Sequence, residues 1–344
     1  MTDATESPIG AQADGAPSRR MGAVALSTIG ALASGAGVAV QTSVNGHVSV
    51  LTGSPILATA LNHGSALAVG LAVALALGAL PRAWRSLRTR RAEIRWWWFL
   101  GGLMGFAAVF AIILVTPEVG VVTIAVAVTL GQLAGSVIAD SAALGPGGRR
   151  RLDLLRILGI VVAVAAIAVG AIGRVETGNV LLIPLVVVAG IVIAIQQAAN
   201  GWLVVVTGGE WSAMTVINFV VSGVAVGTAL LISNAVRPID FAAVPWWAPI
   251  GGIVGAAVGV VIAITVRTIG VLSSMLCVAA GQAISSIVVD LVVPVDRIGI
   301  TAGAVIGAVL SVVAVALAGL GSLPQRSRAD RPTIVEQAAG DPET

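Results

Sequence analysis

The chain has 344 residues, 57% hydrophobic and 10% charged, with a mean hydropathy of +1.02 and a formal net charge of +3. Soluble domains carry about 25% charged residues, so this composition points away from them. The basic excess suggests nucleic-acid binding, but all 19 basic residues are arginines placed almost entirely between apolar runs, which argues against it.

Residues 1–20 hold Asp3, Glu6 and Asp14 before Arg19-Arg20; this is a polar, disordered tail rather than a cleavable signal with a basic start. Ten apolar runs follow, at about 22–43, 55–80, 96–116, 119–139, 155–173, 180–200, 211–235, 245–266, 269–289 and 298–320. A run of about 20 apolar residues makes a helix long enough to cross the roughly 30 Å hydrocarbon layer. Only Arg156, near the start of the fifth run, places a charge inside one. The period-two alternation of a barrel strand is missing. Residues 323–344 are a second polar, disordered tail. The expected fold is an all-α polytopic membrane protein with ten transmembrane helices.

The arginines set an expected orientation. With the N-terminus in the cytoplasm, 16 arginines fall in inner segments, and only Arg174, Arg237 and Arg297 fall in outer ones. That asymmetry predicts both termini inside the cell. The single cysteine, Cys277, excludes an intrachain disulfide and a multi-cysteine metal site.

The chain also contains itself twice. Adding 150 to Trp96-Trp97, Gly101-Gly102, Gly105, Gly120, Gly131-Gln132 and Asp140 gives Trp246-Trp247, Gly251-Gly252, Gly255, Gly270, Gly281-Gln282 and Asp290. The Gln41–Gly46 segment returns as Gln196–Gly201, and Asn62 as Asn218. Residues 21–174 and 175–322 are therefore two five-helix repeats. Five is odd, so the second copy enters from the other side and the repeats are inverted, as in many transporters.

Polar side chains within the membrane need a partner or a cavity, because lipid supplies neither. The candidates are Gln41, Asn45, Asn62, His63 and Gln132 in the first half and Gln196, Asn200, Asn218 and Gln282 in the second. Gln132 lies eight residues before Asp140, about 12 Å along a helix, which places Gln132 and its partner Gln282 near mid-depth. Both are candidate substrate ligands, together with Gln41, Gln196, Asn62 and Asn218; the alternative is helix–helix hydrogen bonding alone. Asp140 and Asp290 stand at opposite faces as candidate gates, by pairing with an arginine such as Arg149 or Arg297, or as plain interfacial carboxylates. His63 is the one titratable group well inside an apolar run besides Cys277, and serves either as a proton relay or as a packing histidine. Trp96–Trp98 and Trp246-Trp247 are interface anchors.

No lysine occurs anywhere, which excludes a Walker A loop and a Schiff base. No His/Asp/Glu cluster has metal-ligand spacing, and no Ser-His-Asp set converges, so neither a cofactor nor enzyme activity is expected.

The ordered set of Gln-x3-Asn after the first span, Gly53-Ser54-Pro55, Trp-Trp…Gly-Gly, Gly131-Gln132…Asp140 and Arg156–Gly159 resembles the drug/metabolite transporter superfamily, and within it the YdcZ-type branch. The resemblance runs over about 25–172 and again over 180–321. It implies a ten-helix secondary transporter of the plasma (inner) membrane, often an exporter of small metabolites, with a central cavity between the halves. It also implies a last helix in each repeat that can pair subunits as a homodimer. A lipid scramblase or flippase, and a non-transporting structural subunit, are the rival readings. The second copy departs at Gly208-Gly209-Glu210, which stands where Gly-Ser-Pro is expected.

Overall fold

The computed structural model describes residues 15–146, 154–170, 179–269, 271–295 and 300–320. Arg149–Arg151, Arg174, Gly270, Arg297 and the 323–344 tail lie outside the described residues, and with them the expected arginine partners of Asp140 and Asp290.

The described residues form helices and turns only. In order these are α1 (Gly15–Thr52), α2 (Pro55–Ala76), α3 (Ala79–Thr89), α4 (Gly101–Ser141), α5 (Leu154–Gly170), α6 (Ile183–Val206), α7 (Trp211–Val236), α8 (Ile250–Ile269), α9 (Val271–Val292) and α10 (Ala302–Leu320). Gly22–Thr52, α2, Trp96–Ser141, α6 and α7 are long and apolar enough to cross a bilayer; shorter apolar stretches lie in α5, α8, α9 and α10. The chain is thus a polytopic, all-helical membrane protein.

Within such helices the hydroxyls must bond inward. Thr42, Thr52, Thr59, Ser65, Thr116, Thr129 and Thr207 each donate to the carbonyl four residues back, at 2.6–2.9 Å. These bonds hide the hydroxyl from lipid without adding a partner helix.

Three segments differ from the sequence expectation. α1 begins at Gly15, within the stretch 1–20 expected as a tail, whose residues 1–14 lie outside the described residues. The first apolar run ends near residue 43, but α1 continues to Thr52, so Asn45 and His47, like Gln41, are inside the helix. The polar side chains lower local hydropathy without breaking helical geometry; Asn45 is buried, Gln41 and His47 are half-buried, and each is hydrogen-bonded. The arginine-rich stretch 81–95 is also not a plain loop, since α3 occupies most of it. Ala79 and Ala83 are buried there against Ala74 of α2 and Ala213 of α7, while Arg85 and Arg88 are exposed.

α4 is a hairpin. At Gly120 the backbone adopts φ 78° and ψ 163°, outside the helical region and open to glycine at little steric cost. Trp98, before the first limb, stacks on Trp202 of α6, while Leu144, after the second limb, accepts a hydrogen bond from the same indole at 2.9 Å. Both ends of the hairpin therefore meet the end of α6. The tip, with Val115, Val119, Ile124 and Val128, packs on Ile183 and Val186 at the start of α6.

Helix crossings are built on glycine. A Cβ on Gly131 would strike the Val187 carbonyl of α6, and one on Gly190 would strike the Val128 carbonyl of α4. The matched crossing joins α1 to α9: Gly281 faces the Leu32 carbonyl, and Gly35 the Val278 carbonyl. Lipid tails are as apolar as the helices, so close backbone approach, not exclusion from water, drives association here. α2 runs antiparallel to α7 at the centre, with His63 beside Phe219 and Gly70 beside Thr215.

Candidate functional site

Two amide clusters lie on either side of the α2–α7 crossing. In the first, Asn62 of α2 accepts with Oδ1 from Gln41 Nε2 and Asn45 Nδ2, both 3.0 Å away. All three rest on α8: Cβ atoms on Gly251 and Gly255 would collide with Asn45 and Gln41, and one on Gly252 with the Asn62 carbonyl. In the second, Asn218 of α7 donates to Asn200 Oδ1 of α6 at 2.7 Å. This cluster rests on the first limb of α4, where Gly101 faces Asn200 and Asn218, Gly102 the Asn218 carbonyl, and Gly105 Gln196. Each cluster therefore belongs to one repeat and is seated on the glycine face of the other.

The clusters differ in how fully they are satisfied. Asn62 Oδ1 holds two donors. Asn218 Oδ1 is buried and holds none, while its Nδ2 also touches Met214 Sδ at 3.0 Å. A buried amide oxygen without a donor is costly and rare in folded proteins, and it invites a donor from elsewhere.

His63 and Phe219 bridge the clusters, being the neighbours of Asn62 and Asn218. Their rings meet edge to face, with centroids 5.8 Å apart, and Phe106 lies 6.4 Å from the histidine. His63 Nδ1 is 3.0 Å from the Thr59 carbonyl, which can only accept. Nδ1 therefore carries a proton, and in the neutral ring Nε2 is left as an acceptor. His63 is 3% exposed.

The glutamines given most weight from sequence are placed elsewhere. Gln132 follows Gly131 at the α4–α6 crossing, and Gln282 follows Gly281 at the α1–α9 crossing. Gln282 is buried and Gln132 half-buried. Asp290 is buried too, and its two carboxylate oxygens accept from the backbone N–H groups of Val121 and Val122, at 3.1 and 2.9 Å. Those are the first residues after the Gly120 reversal, so an aspartate of the second repeat caps the second limb of a hairpin in the first. Asp140, the repeat partner, is at the far end of that limb and is also engaged.

Sequence reasoning missed His47, which lies inside α1. It borders a cleft of about 440 Å³ lined by Val40, Ser43, Val44, Trp247, Val288 and Val292, among others. Its repeat equivalent is Trp202, stacked on Trp98 with centroids 5.0 Å apart and planes 6° apart. Where the first half has Trp98, the second has Ala248. The two offsets that reveal the repeat, 155 for the Gln41–Gly46 segment and 150 for the Trp-Trp segment, would have exposed this exchange of large for small.

The arginine-rich end is braced as well. Arg82 of α3 grips Glu210 at the start of α7 through two hydrogen bonds of 2.5 and 3.1 Å, and it donates to the Leu77 carbonyl at 2.8 Å. The carboxylate beside it raises the Arg82 pKa above its already high ordinary value. Ser86 and Arg90 donate to the last carbonyls of α6, Val206 and Val205, each at 2.9 Å. Among the described residues, no group of three or more His, Cys, Asp or Glu could hold a metal ion.

Compared with known families, the chain matches one twice, over residues 26–169 and 181–317; that family is described as "Putative inner membrane exporter, YdcZ". No curated protein matches the chain.

Proposed function

The chain belongs to the YdcZ family of inner membrane exporters in its two-repeat form, and from that premise we propose that it is a secondary transporter working by alternating access. In this reading it crosses the membrane ten times, through α1, α2, the two limbs of α4, and α5 to α10. The halves are inverted, and both termini face the cytoplasm. The reciprocal seating of the amide clusters carries the proposal. Each half holds its Gln and Asn side chains against the glycine face of the other, so relative motion of the halves changes both clusters together.

The cargo is a small, amphipathic molecule bearing a hydrogen-bond donor. Asn218 Oδ1 and His63 Nε2 offer acceptors, Phe106 and Phe219 offer aromatic surface, and no carboxylate stands within this group. Selection is by hydrogen bonding and shape. Asp290 acts as the latch at the end opposite the arginines, holding the two halves together through the α4 hairpin, and Asp140 is its counterpart at the arginine end.

The test is thermal stabilisation of the purified protein by a panel of small metabolites and cationic amphiphiles, followed by counterflow in proteoliposomes. A ligand at 100 times its Kd adds about 2.7 kcal/mol to the folded state. The proposal expects a hit that Asn218→Ala and His63→Phe each weaken at least about tenfold while unliganded stability changes little. Gln132→Ala and Gln282→Ala then show whether the glutamines touch cargo or only join helices. No hit for the native protein, with the Asn218 and His63 variants themselves destabilised, would make the clusters helix contacts and end the proposal.

The cleft beside His47 favours a second reading, lipid handling, because its lining is mostly valine and could hold an acyl chain. Movement of a fluorescent phospholipid between leaflets, lost on His47→Trp, would support it over metabolite export.

A further inference from the structure

α3 presents a face that neither the helix packing nor transport explains. It is joined to the end of α2 through Gly78, at φ +60°, so it leaves a membrane-crossing helix abruptly and lies across its end. One side is seated on Ala74, Ala213 and Val216. On the opposite side are Trp84, 59% exposed, with Arg85, Arg88 and, just beyond the helix, Arg91, all exposed. The Arg88 guanidinium carbon lies 5.3 Å from the centre of the Trp84 ring.

The charges on this segment are unbalanced. Six arginines between 82 and 95 meet only Glu93 in the same stretch and Glu210 from α7. Arg82 is committed to Glu210 and Arg90 to the Val205 carbonyl. Among the described residues no carboxylate pairs with Arg85, Arg88 or Arg91. An exposed indole between guanidinium groups fits the headgroup layer, where its ring reaches the acyl boundary and its N–H stays wet. Trp96, 76% exposed, marks the same level at the start of the α4 hairpin.

We propose that the outer face of α3, through Arg85, Arg88 and Arg91 with Trp84 as its anchor, binds the phosphate headgroups of anionic membrane lipids. Guanidinium groups pair with phosphate oxygens in a bidentate manner, and juxtamembrane arginines are drawn to negatively charged leaflets. Bound lipid holds α3 flat against the membrane, and with it the Arg82–Glu210 bridge that ties α3 to α7.

The experiment uses the full-length protein in neutral detergent, titrated with phosphatidylglycerol, phosphatidylcholine or glycerol phosphate, and read by melting temperature and by lipid retention in native mass spectrometry. The anionic lipid should stabilise and be retained, and the zwitterionic lipid and the chainless headgroup should not. Retention should fall as salt rises from 50 to 500 mM, values chosen to span screening of exposed charge. Each of Arg85→Gln, Arg88→Gln and Arg91→Gln should weaken binding by about fivefold, and the triple variant by about a hundredfold. Equal binding of both lipids, or full binding by a folded triple variant, would overturn the proposal. Equal binding of glycerol phosphate would replace it with a simple anion site. If the triple variant does not fold, the lipid preference and salt dependence of the native protein decide alone: salt-independent retention overturns the proposal.

Discussion

The α1–α2 and α6–α7 turns start from one plan and finish differently. Thr52 and Thr207 each donate to the carbonyl four residues back at 2.7 Å, and Gly53 and Gly208 both take positive φ, at 60° and 74°. The first turn then closes on itself, since Ser54 accepts from the Leu57 N–H at 3.3 Å and Pro55 opens α2. The second has Gly209 and Glu210 in those places and no side-chain cap, and it is held from outside by Arg82, Ser86 and Arg90. The departure from Gly-Ser-Pro is thus a change of support from local to tertiary. A self-capped turn can move with its own helices, whereas a braced turn moves only if its brace does.

Substitutions can test how far that likeness and that difference extend. The largest effect belongs to what the halves share. Gly102→Ala and Gly252→Ala force a methyl onto the Asn218 and Asn62 carbonyls, and each should cost about 3 kcal/mol or more in unfolding measurements. Unequal losses would show that the two glycine seats are not equivalent. Gly223→Ala, with nothing near its new methyl, should instead gain about 0.5–1 kcal/mol.

Next comes the stacked pair at the braced end. Trp202→Ala should lose about 3 kcal/mol, and His47→Ala, facing an open cleft, less than about 1 kcal/mol. Similar losses would mean the cleft side is as tightly packed as the stack. Asp290→Ala removes an acceptor from two backbone donors and should cost about 2 kcal/mol, with faster hydrogen exchange at Val121 and Val122. Unchanged exchange there would contradict the cap.

Ser54→Ala tests the self-capped turn and should cost about 1 kcal/mol. The smallest effect on stability is expected from Arg82→Gln, because the arginine is exposed and its pair with Glu210 is screened by salt. Its mark should instead be faster proteolysis between α2 and α4 at low salt; no change in cleavage would remove the brace from the account.

The repeat was legible because several of the residues that recur meet a neighbouring backbone: Gly131 with Gly281, Gly102 with Gly252. No other residue fits such crossings, so identity persists where most apolar positions drift. What the sequence could not supply was the partner. Nothing in Gln41 or Asn62 says that both rest on Gly251–Gly255 of the other half, because that follows only from how the halves interlock. The length of α1 was hidden for a related reason, since Asn45 and His47 look like residues past the end of a span until their bonds are seen. The α3 helix was legible in principle, as Ala79, Ala83 and Leu87 recur at helical spacing beneath the arginines. Gln132 and Gln282 stand out in the sequence by depth and by their matched places in the two repeats, and neither feature distinguishes a cavity from a helix crossing.

The Asp290 cap has a consequence for how the molecule is made. Ribosomes deliver the Gly120 hairpin well before the residue that closes it, since 168 positions separate Val122 from its acceptor. Until α9 arrives, two backbone N–H groups at the hairpin tip have no carboxylate and must be met by water at the membrane surface. The first repeat therefore waits, half finished, for the second, and chains truncated before Asp290 should be substrates for membrane quality control rather than small working transporters.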